Sequence, residues 1–152
     1  MNIVGVISDT HGLLRPQAVA ALAGCDRILH AGDIGQPEVL AGLRAIAPVV
    51  AVRGNVDRGW AKALPETTQV DIAGRRILLL HNLAELEIDP RAAGIDVVIA
   101  GHSHRPKIET RNGVLYVNPG SAGPRRFTLP IAVAQIEITE RSAEARIIEL
   151  SV

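Results

Sequence analysis

Between Asn2 and Val52 the chain switches repeatedly between short apolar runs and Ala/Leu-rich stretches that open on proline. Asn2–Ser8 is almost continuously aliphatic and β-branched, the pattern of a strand buried on both faces. Pro16–Ala23 follows, with its proline where the first helical turn needs no N–H. Arg27–Leu29 reads as a second strand, Pro37–Ile46 as a second helix and Pro48–Val52 as a third strand. Strand, helix, strand, helix, strand is the order of parallel strands joined by crossover helices, and it commits this half of the chain to an α/β sheet.

The second half changes character after Leu64-Pro65-Glu66, which reads as a connector. Thr67–Ile72 and Arg75–Leu80 flank Ala73-Gly74 as a hairpin, and Lys107–Thr110 and Val114–Val117 flank an Asn112-Gly113 turn. Asp96–Ala100 is a further buried strand, Leu83–Ala93 a short helix, and Pro130–Ile138 with Ala145–Leu150 a closing strand pair. The expected architecture is a layered α/β sandwich whose second half carries a mixed sheet, in one domain over residues 1–152.

Composition narrows the function classes. With 47% apolar and 21% charged residues among 152, the chain can bury a core. Sixteen basic residues balance sixteen acidic ones, which argues against broad coverage of a nucleic-acid backbone. One Trp, one Tyr and one Phe leave little to stack bases. A single cysteine, Cys25, reads as a small buried hydrophobe and gives no internal disulfide. No apolar run approaches the ~20 residues of a membrane helix, and the first residues lack a basic leader, so the expectation is a cytoplasmic protein with no membrane or nucleic-acid partner. Fourteen of the basic residues are Arg, whose fork fits phosphate oxygens, although genome bias accounts for such an excess equally well.

Metal-type residues follow the apolar runs five times. They are Asp9 and His11, then Asp33 in His30-Ala31-Gly32-Asp33, then Asn55 after Gly54, then His81, then His102 and His104 in Gly101-His102-Ser103-His104. In open α/β sheets, sites form at the carboxyl ends of strands, so five strand ends bring seven ligands to one rim. Asp9/His11 and His102/His104 are i,i+2 pairs, which share a face in extended backbone. Gly12, Gly32, Gly35, Gly54 and Gly101 lie beside them as a crowded site requires. Imidazole with carboxylate and no thiolate suits Mn²⁺, Fe²⁺, Zn²⁺, Ni²⁺ or Co²⁺. Seven ligands exceed one tetrahedral ion, and two divalent ions against Asp9 and Asp33 leave a local surplus near +2, matched to a hydroxide and a phosphodiester monoanion.

As a set, Ser8-Asp9-Thr10-His11-Gly12, Gly32-Asp33, Arg53-Gly54-Asn55-Val56-Asp57, His81, Gly101-His102-Ser103-His104, and Asn118-Pro119-Gly120-Ser121 with Pro124-Arg125 resemble the calcineurin-like metallophosphoesterase superfamily. Within it the likeness is to the small YfcE-like phosphodiesterase branch. The resemblance implies a four-layer α/β/β/α sandwich with mixed sheets and a binuclear centre, with Mn²⁺ the first choice of ion. Asp9, His11, Asp33 and His104 would hold one ion, and Asp33, Asn55, His81 and His102 the other, with Asp33 bridging. Asn55 and His102 would also contact the phosphate or transition state. A hydroxide between the ions would attack a small phosphodiester in line. Val56 stands where many superfamily phosphatases have a leaving-group His, so the general acid is unassigned among water, Asp57 and a metal-assisted route. Asn82 stands where a His-Gly-His continuation is common.

Other residues have two readings each. His30 is a support for a ligand or a packed strand-end His. Arg53, Arg58, Arg105 and Arg125 lie near ligands in sequence, and Arg125 is the substrate contact we select. Asn118–Ser121 is a turn beside the rim or a structural turn, and Trp60 reads as core filler. The rival functions are a Vps29-like protein-binding scaffold without turnover, a phosphomonoesterase, and a DNA nuclease. Exposed apolar strands would favour a homodimer.

Overall fold

Two five-stranded sheets stack face to face in the computed structural model, which describes residues 2–152. The first is built from β1 (Asn2–Ile7), β2 (Arg27–His30), β3 (Val49–Ala51), β9 (Ala132–Ile138) and β10 (Ala143–Glu149), ordered β10-β9-β1-β2-β3. The second holds β4 (Thr67–Ile72), β5 (Arg75–Leu80), β6 (Val97–Ile99), β7 (Lys107–Arg111) and β8 (Val114–Asn118), ordered β4-β5-β6-β8-β7. Strands β1, β2 and β3 are mutually parallel, and so are β5, β6 and β8. Their carboxyl ends carry the candidate ligands.

Alternation of side chains explains the layering. Val4, Val6, Leu29, Ile77, Leu79, Val97, Ile99 and Ile136 point into the space between the sheets and form one buried cluster. Their neighbours Ile7, Ile28 and Val133 point the other way, against α1 (Pro16–Leu22) and α2 (Pro37–Arg44). Each such large aliphatic contributes about 1.5–3 kcal/mol by leaving water. Gly5 lets α1 approach β1, because a Cβ there would come within 2.7 Å of Leu22 Cδ2. Both hairpin turns have two residues at positive φ, Ala73-Gly74 at 50° and 81° and Asn112-Gly113 at 50° and 78°, as the right-handed twist of the flanking strands requires.

The fold is the expected α/β sandwich with two mixed sheets; the first is mixed because the closing pair β9–β10 returns to it, with β9 antiparallel to β1. Two details differ from the expected pattern. The fourth layer is thin. Leu83–Ala93 holds only a 3₁₀ turn, Leu83–Glu85, before Asp89-Pro90 interrupts the helical pattern. Trp60 is not core filler; it is 39% exposed on a second 3₁₀ turn, Gly59–Ala61. Cys25 is buried as expected. Among the described residues no helix is long and apolar enough to cross a membrane.

Candidate metal centre

Two loops from the first sheet are zipped together at the carboxyl ends of β1 and β2. The N–H groups of Asp9, His11 and Gly12 donate to the carbonyls of Gly32, Asp33 and Ile34 at 3.0, 2.9 and 2.7 Å. The loop after β6 closes over them, with the His102 N–H donating to Asp9 Oδ2 at 3.1 Å. This approach explains Gly101, whose Cβ would run into Ser8 Oγ and Asp9 Oδ2. Gly54 is explained likewise, since a Cβ there would strike Asp33.

Five of the candidate ligands sit in left-handed backbone: Asp9 (φ 55°), His11 (47°), Asp33 (54°), His102 (70°) and His104 (61°). The extended-strand argument for the i,i+2 pairs is therefore corrected. These residues lie just past the strand ends, where the chain turns, and not within the pleat. Asp9 and His11 still converge, whereas His102 and His104 part to different clusters. Such conformations cost about 1–3 kcal/mol each and persist only where the surroundings over-determine them.

The side chains form two groups. Asp9, His11 and His104 offer ligand atoms within 4.8 Å of one another, and so do Asp33, His81 and His102. Asp33 Oδ2 lies between them, 3.7 Å from His11 Nε2 and 3.2 Å from His81 Nε2. Asp9 Oδ1 lies 3.3 Å from His104 Nε2 and 3.9 Å from His11 Nε2. Asn55 is exposed and lines a cleft of about 690 Å³ together with Gly54, His81 and Arg58.

Each carboxylate is aimed by bonds to its other oxygen. Ser8 donates to Asp9 Oδ2 at 2.7 Å and Val56 N–H to Asp33 Oδ1 at 3.1 Å, which turns Oδ1 of Asp9 and Oδ2 of Asp33 toward the histidines. The His81 Nδ1–H donates to the Ala31 carbonyl at 2.8 Å, so its Nε2 carries the lone pair. Asp9 Oδ1 and His11 Nε2 are buried without any hydrogen-bond partner. Buried polar atoms are rarely orphaned, and a carboxylate oxygen facing imidazole nitrogens is the donor set of a divalent cation. The residues present therefore fit the metal that the motifs imply.

Charge reinforces this. Burial pushes the Asp33 carboxyl up, but the adjacent His81 ring, the Val56 N–H that donates to it and the nearby His11 outweigh it and hold the group down to about 2. Asp33 is thus ionised throughout the neutral range. His81 is lowered by burial but raised more by Asp33 and Asp9. His104 is lowered, chiefly by burial, with Asp9 opposing and the charge of Arg126 assisting.

The sequence left the roles of Asp57, His30 and Asn118 open, and the structure shows what each one touches. Asp57 is buried, and its carboxylate accepts the N–H groups of Ile34, Gly35 and Gly54 at 3.0, 2.9 and 2.9 Å. It braces two candidate-ligand loops, with both of its oxygens occupied by N–H donors. His30 is fully buried; Gly32 N–H donates to its Nδ1 at 3.1 Å, so the proton is on Nε2 and is donated to Thr10 Oγ1 at 3.0 Å. The Thr10 hydroxyl donates onward to Ile34 O at 2.8 Å. His30 is therefore a packed strand-end residue and a support for the Asp9–His11 loop at once. Asn118 braces the other side, donating to the Gly101 carbonyl at 3.0 Å and to Ser103 Oγ at 3.1 Å.

The arginines sort by what holds them. Arg53 is tied to the carbonyls of Lys62 and Leu64 and to Glu66. Arg125 donates to the Leu129 carbonyl at 3.3 Å on an exposed loop, whereas its neighbour Arg126 is the arginine whose charge reaches His104.

A model of the calcineurin-like phosphoesterase superfamily domain matches residues 1–141. A probable metallophosphoesterase of Methanothermobacter thermautotrophicus is 36% identical, over 96% of this chain and 91% of its own. The structure of a novel archaeal phosphodiesterase superposes with a TM-score of 0.82 at 26% identity, covering 97% of this chain and 99% of that one. YfcE, a phosphoesterase of E. coli, superposes with a TM-score of 0.71 at 22% identity, covering 98% and 100%. Vps29 chains share the fold as well.

Proposed function

Because the chain belongs to the calcineurin-like phosphoesterase superfamily, we propose that it is a cytoplasmic hydrolase of small phosphodiesters that works with two divalent metal ions. The observation that carries this reading is the position of Asp33 Oδ2 between His11 and His81, one from each ligand cluster. In the proposal Asp9, His11, Asp33 and His104 hold one ion, and Asp33, Asn55, His81 and His102 the other. Bound divalent ions supply Lewis acidity and an ionised water near neutral pH. The chain's own residues do the rest. Asp33 stays ionised and cannot compete for the proton of the attacking water. His81 keeps a fixed tautomer through Ala31. Asn55 and His102, at the mouth of the site, orient the phosphoryl oxygens. Water gives up a proton to solvent and attacks phosphorus as hydroxide, the P–O ester bond breaks, and the departing alkoxide takes a proton back from solvent, both oxygens of Asp57 being occupied by N–H donors.

Val56 in place of a leaving-group histidine favours diesters over monoesters. A scaffold without turnover draws on the fold shared with Vps29, a likeness at 20% identity that carries fold alone. Its case weakens because every one of the seven positions holds a competent ligand. The metal-free protein, reloaded with Mn²⁺, Ni²⁺, Fe²⁺, Zn²⁺ or Co²⁺ in turn, is assayed on bis(4-nitrophenyl) phosphate and on 4-nitrophenyl phosphate. Faster turnover of the diester is expected. Metal uptake with no hydrolysis of either ester would leave the scaffold reading.

A further inference from the structure

The thin fourth layer leaves part of the second sheet's outer face without a roof. There, beside His102 and Asn82, lies a groove of about 200 Å³. Its floor is apolar, formed by Val98, Ala100, Leu83 and Tyr116. Its rim is cationic, with Arg105, Lys107 and Arg111 along one side and Glu109 between them. Glu109 pairs with Lys107 at 3.1 Å and with Arg111 at 2.9 Å, and with Arg105 counted the rim holds three cations and one carboxylate, a net excess of two positive charges. Arg111 is fixed further, with its guanidinium 4.9 Å above the Tyr116 ring.

A drug-sized ligand needs about 300–1,000 Å³, so this groove suits one arm of a substrate and not the whole of it. Because His102 belongs both to the groove and to the metal cluster, an arm attached to phosphorus enters without a spacer. An apolar floor under a cationic rim matches a group that is flat and apolar in its body and anionic at its far end. We propose that the groove seats one ester arm of the substrate and selects arms that are aromatic or apolar with a terminal carboxylate or phosphate. The proposal rests on the diesterase reading above and adds the class of diester.

Two chromogenic diesters test it with the Mn²⁺-loaded protein. Both release 4-nitrophenol; one carries a phenyl arm and the other a 4-carboxyphenyl arm. The carboxylate arm should lower KM by about three- to tenfold, the scale of one or two partly screened charge contacts. The preference should vanish in Lys107→Ala/Arg111→Ala, and equally in the single variant Lys107→Glu, which leaves two cations against two carboxylates and keeps the proposal testable if the double variant does not fold. Equal KM for the two diesters, or a preference that survives the substitutions, overturns it. Hydrolysis of neither diester overturns instead the reading on which it rests. Binding gives a second readout. In the Zn²⁺-loaded, isotopically labelled protein, the product 4-carboxyphenyl phosphate should shift the amide signals of residues 107–118, and shifts confined to the metal loops would contradict the proposal. So would a dimer in light scattering that the double variant dissolves, because the groove would then hold a second copy of the chain.

Discussion

Asp33 Oδ2 lies 3.2 Å from His81 Nε2, and each residue is held in that relation by a bond at its other end, Asp33 Oδ1 to Val56 N–H and His81 Nδ1 to the Ala31 carbonyl. The two groups come from different sheets. Their meeting therefore depends on the stacking of the whole sandwich, and the site is pre-organised by the fold that carries it.

Asn55 should be the most separable of the ligands. It is exposed, and its side chain takes part in no hydrogen bond, so Asn55→Ala should unfold at nearly the wild-type temperature. Turnover should fall by more than the roughly 10–100-fold typical of losing a ligand's outer partner. Asp33→Ala should be worse and should reduce the bound metal at both positions. Inductively coupled plasma analysis with steady-state kinetics checks both variants; near-wild-type turnover in Asn55→Ala would contradict the assignment.

Asp57→Ala leaves three buried or half-buried N–H groups without an acceptor. The expected cost is about 3 kcal/mol, which for a domain of this size lowers Tm by roughly 6–12 °C. The pH profile of the residual activity should keep its shape. If Asp57 were the general acid, the alkaline limb would disappear in this variant.

His30 should make stability pH-dependent. Burial lowers its pKa to about 3, against 6.5 when unfolded. The folded state then binds fewer protons than the unfolded one, so stability is full above pH 6.5 and falls as pH drops from 6.5 toward 3. Asp33 acts in a lower window, its stabilisation lost as pH falls from its ordinary 3.8 toward about 2, whereas His81, with a raised pKa, contributes stability below pH 6.5 that is lost as pH rises. Urea unfolding of the metal-free protein from pH 7 to pH 4 should show the His30 slope, and His30→Gln should flatten it.

Gly101→Ala places a methyl group against Ser8 and Asp9. Overpacking of this kind costs about 1–3 kcal/mol. Because Asp9 is one of the groups in the way, metal content should drop out of proportion to the loss of stability, and a crystal structure should show the Asp9 carboxylate rotated away from His11. Full metal occupancy in a destabilised protein would mean that the glycine serves packing alone.

Much of this was readable from local pattern. The β-branched run Asn2–Ser8, the Ala73-Gly74 and Asn112-Gly113 turns, and the proline-opened helices depend on neighbours in sequence, and the structure has them within a residue or two. The candidate ligands could be named because strand ends punctuate the apolar runs, and the structure gathers six of the seven into two clusters. What escaped was non-local. Nothing in Pro130–Ile138 says that it pairs with β1, more than a hundred residues away. The bracing by Asp57 escaped because its three N–H partners come from loops brought together only by folding. Arg125 and Arg126 are adjacent, and sequence carries no signal for which of the two charges acts on His104. Five ligands in left-handed backbone mimic an i,i+2 strand pattern by coincidence of spacing.

The central claim is that one rim holds two divalent ions and that they are needed together for diester hydrolysis. Titrating Mn²⁺ into the metal-free protein while following hydrolysis of bis(4-nitrophenyl) phosphate tests it most directly. Activity should rise only as the second equivalent binds and should saturate at two ions per chain. Full activity at one equivalent, or no activity at any Mn²⁺ concentration, would contradict it.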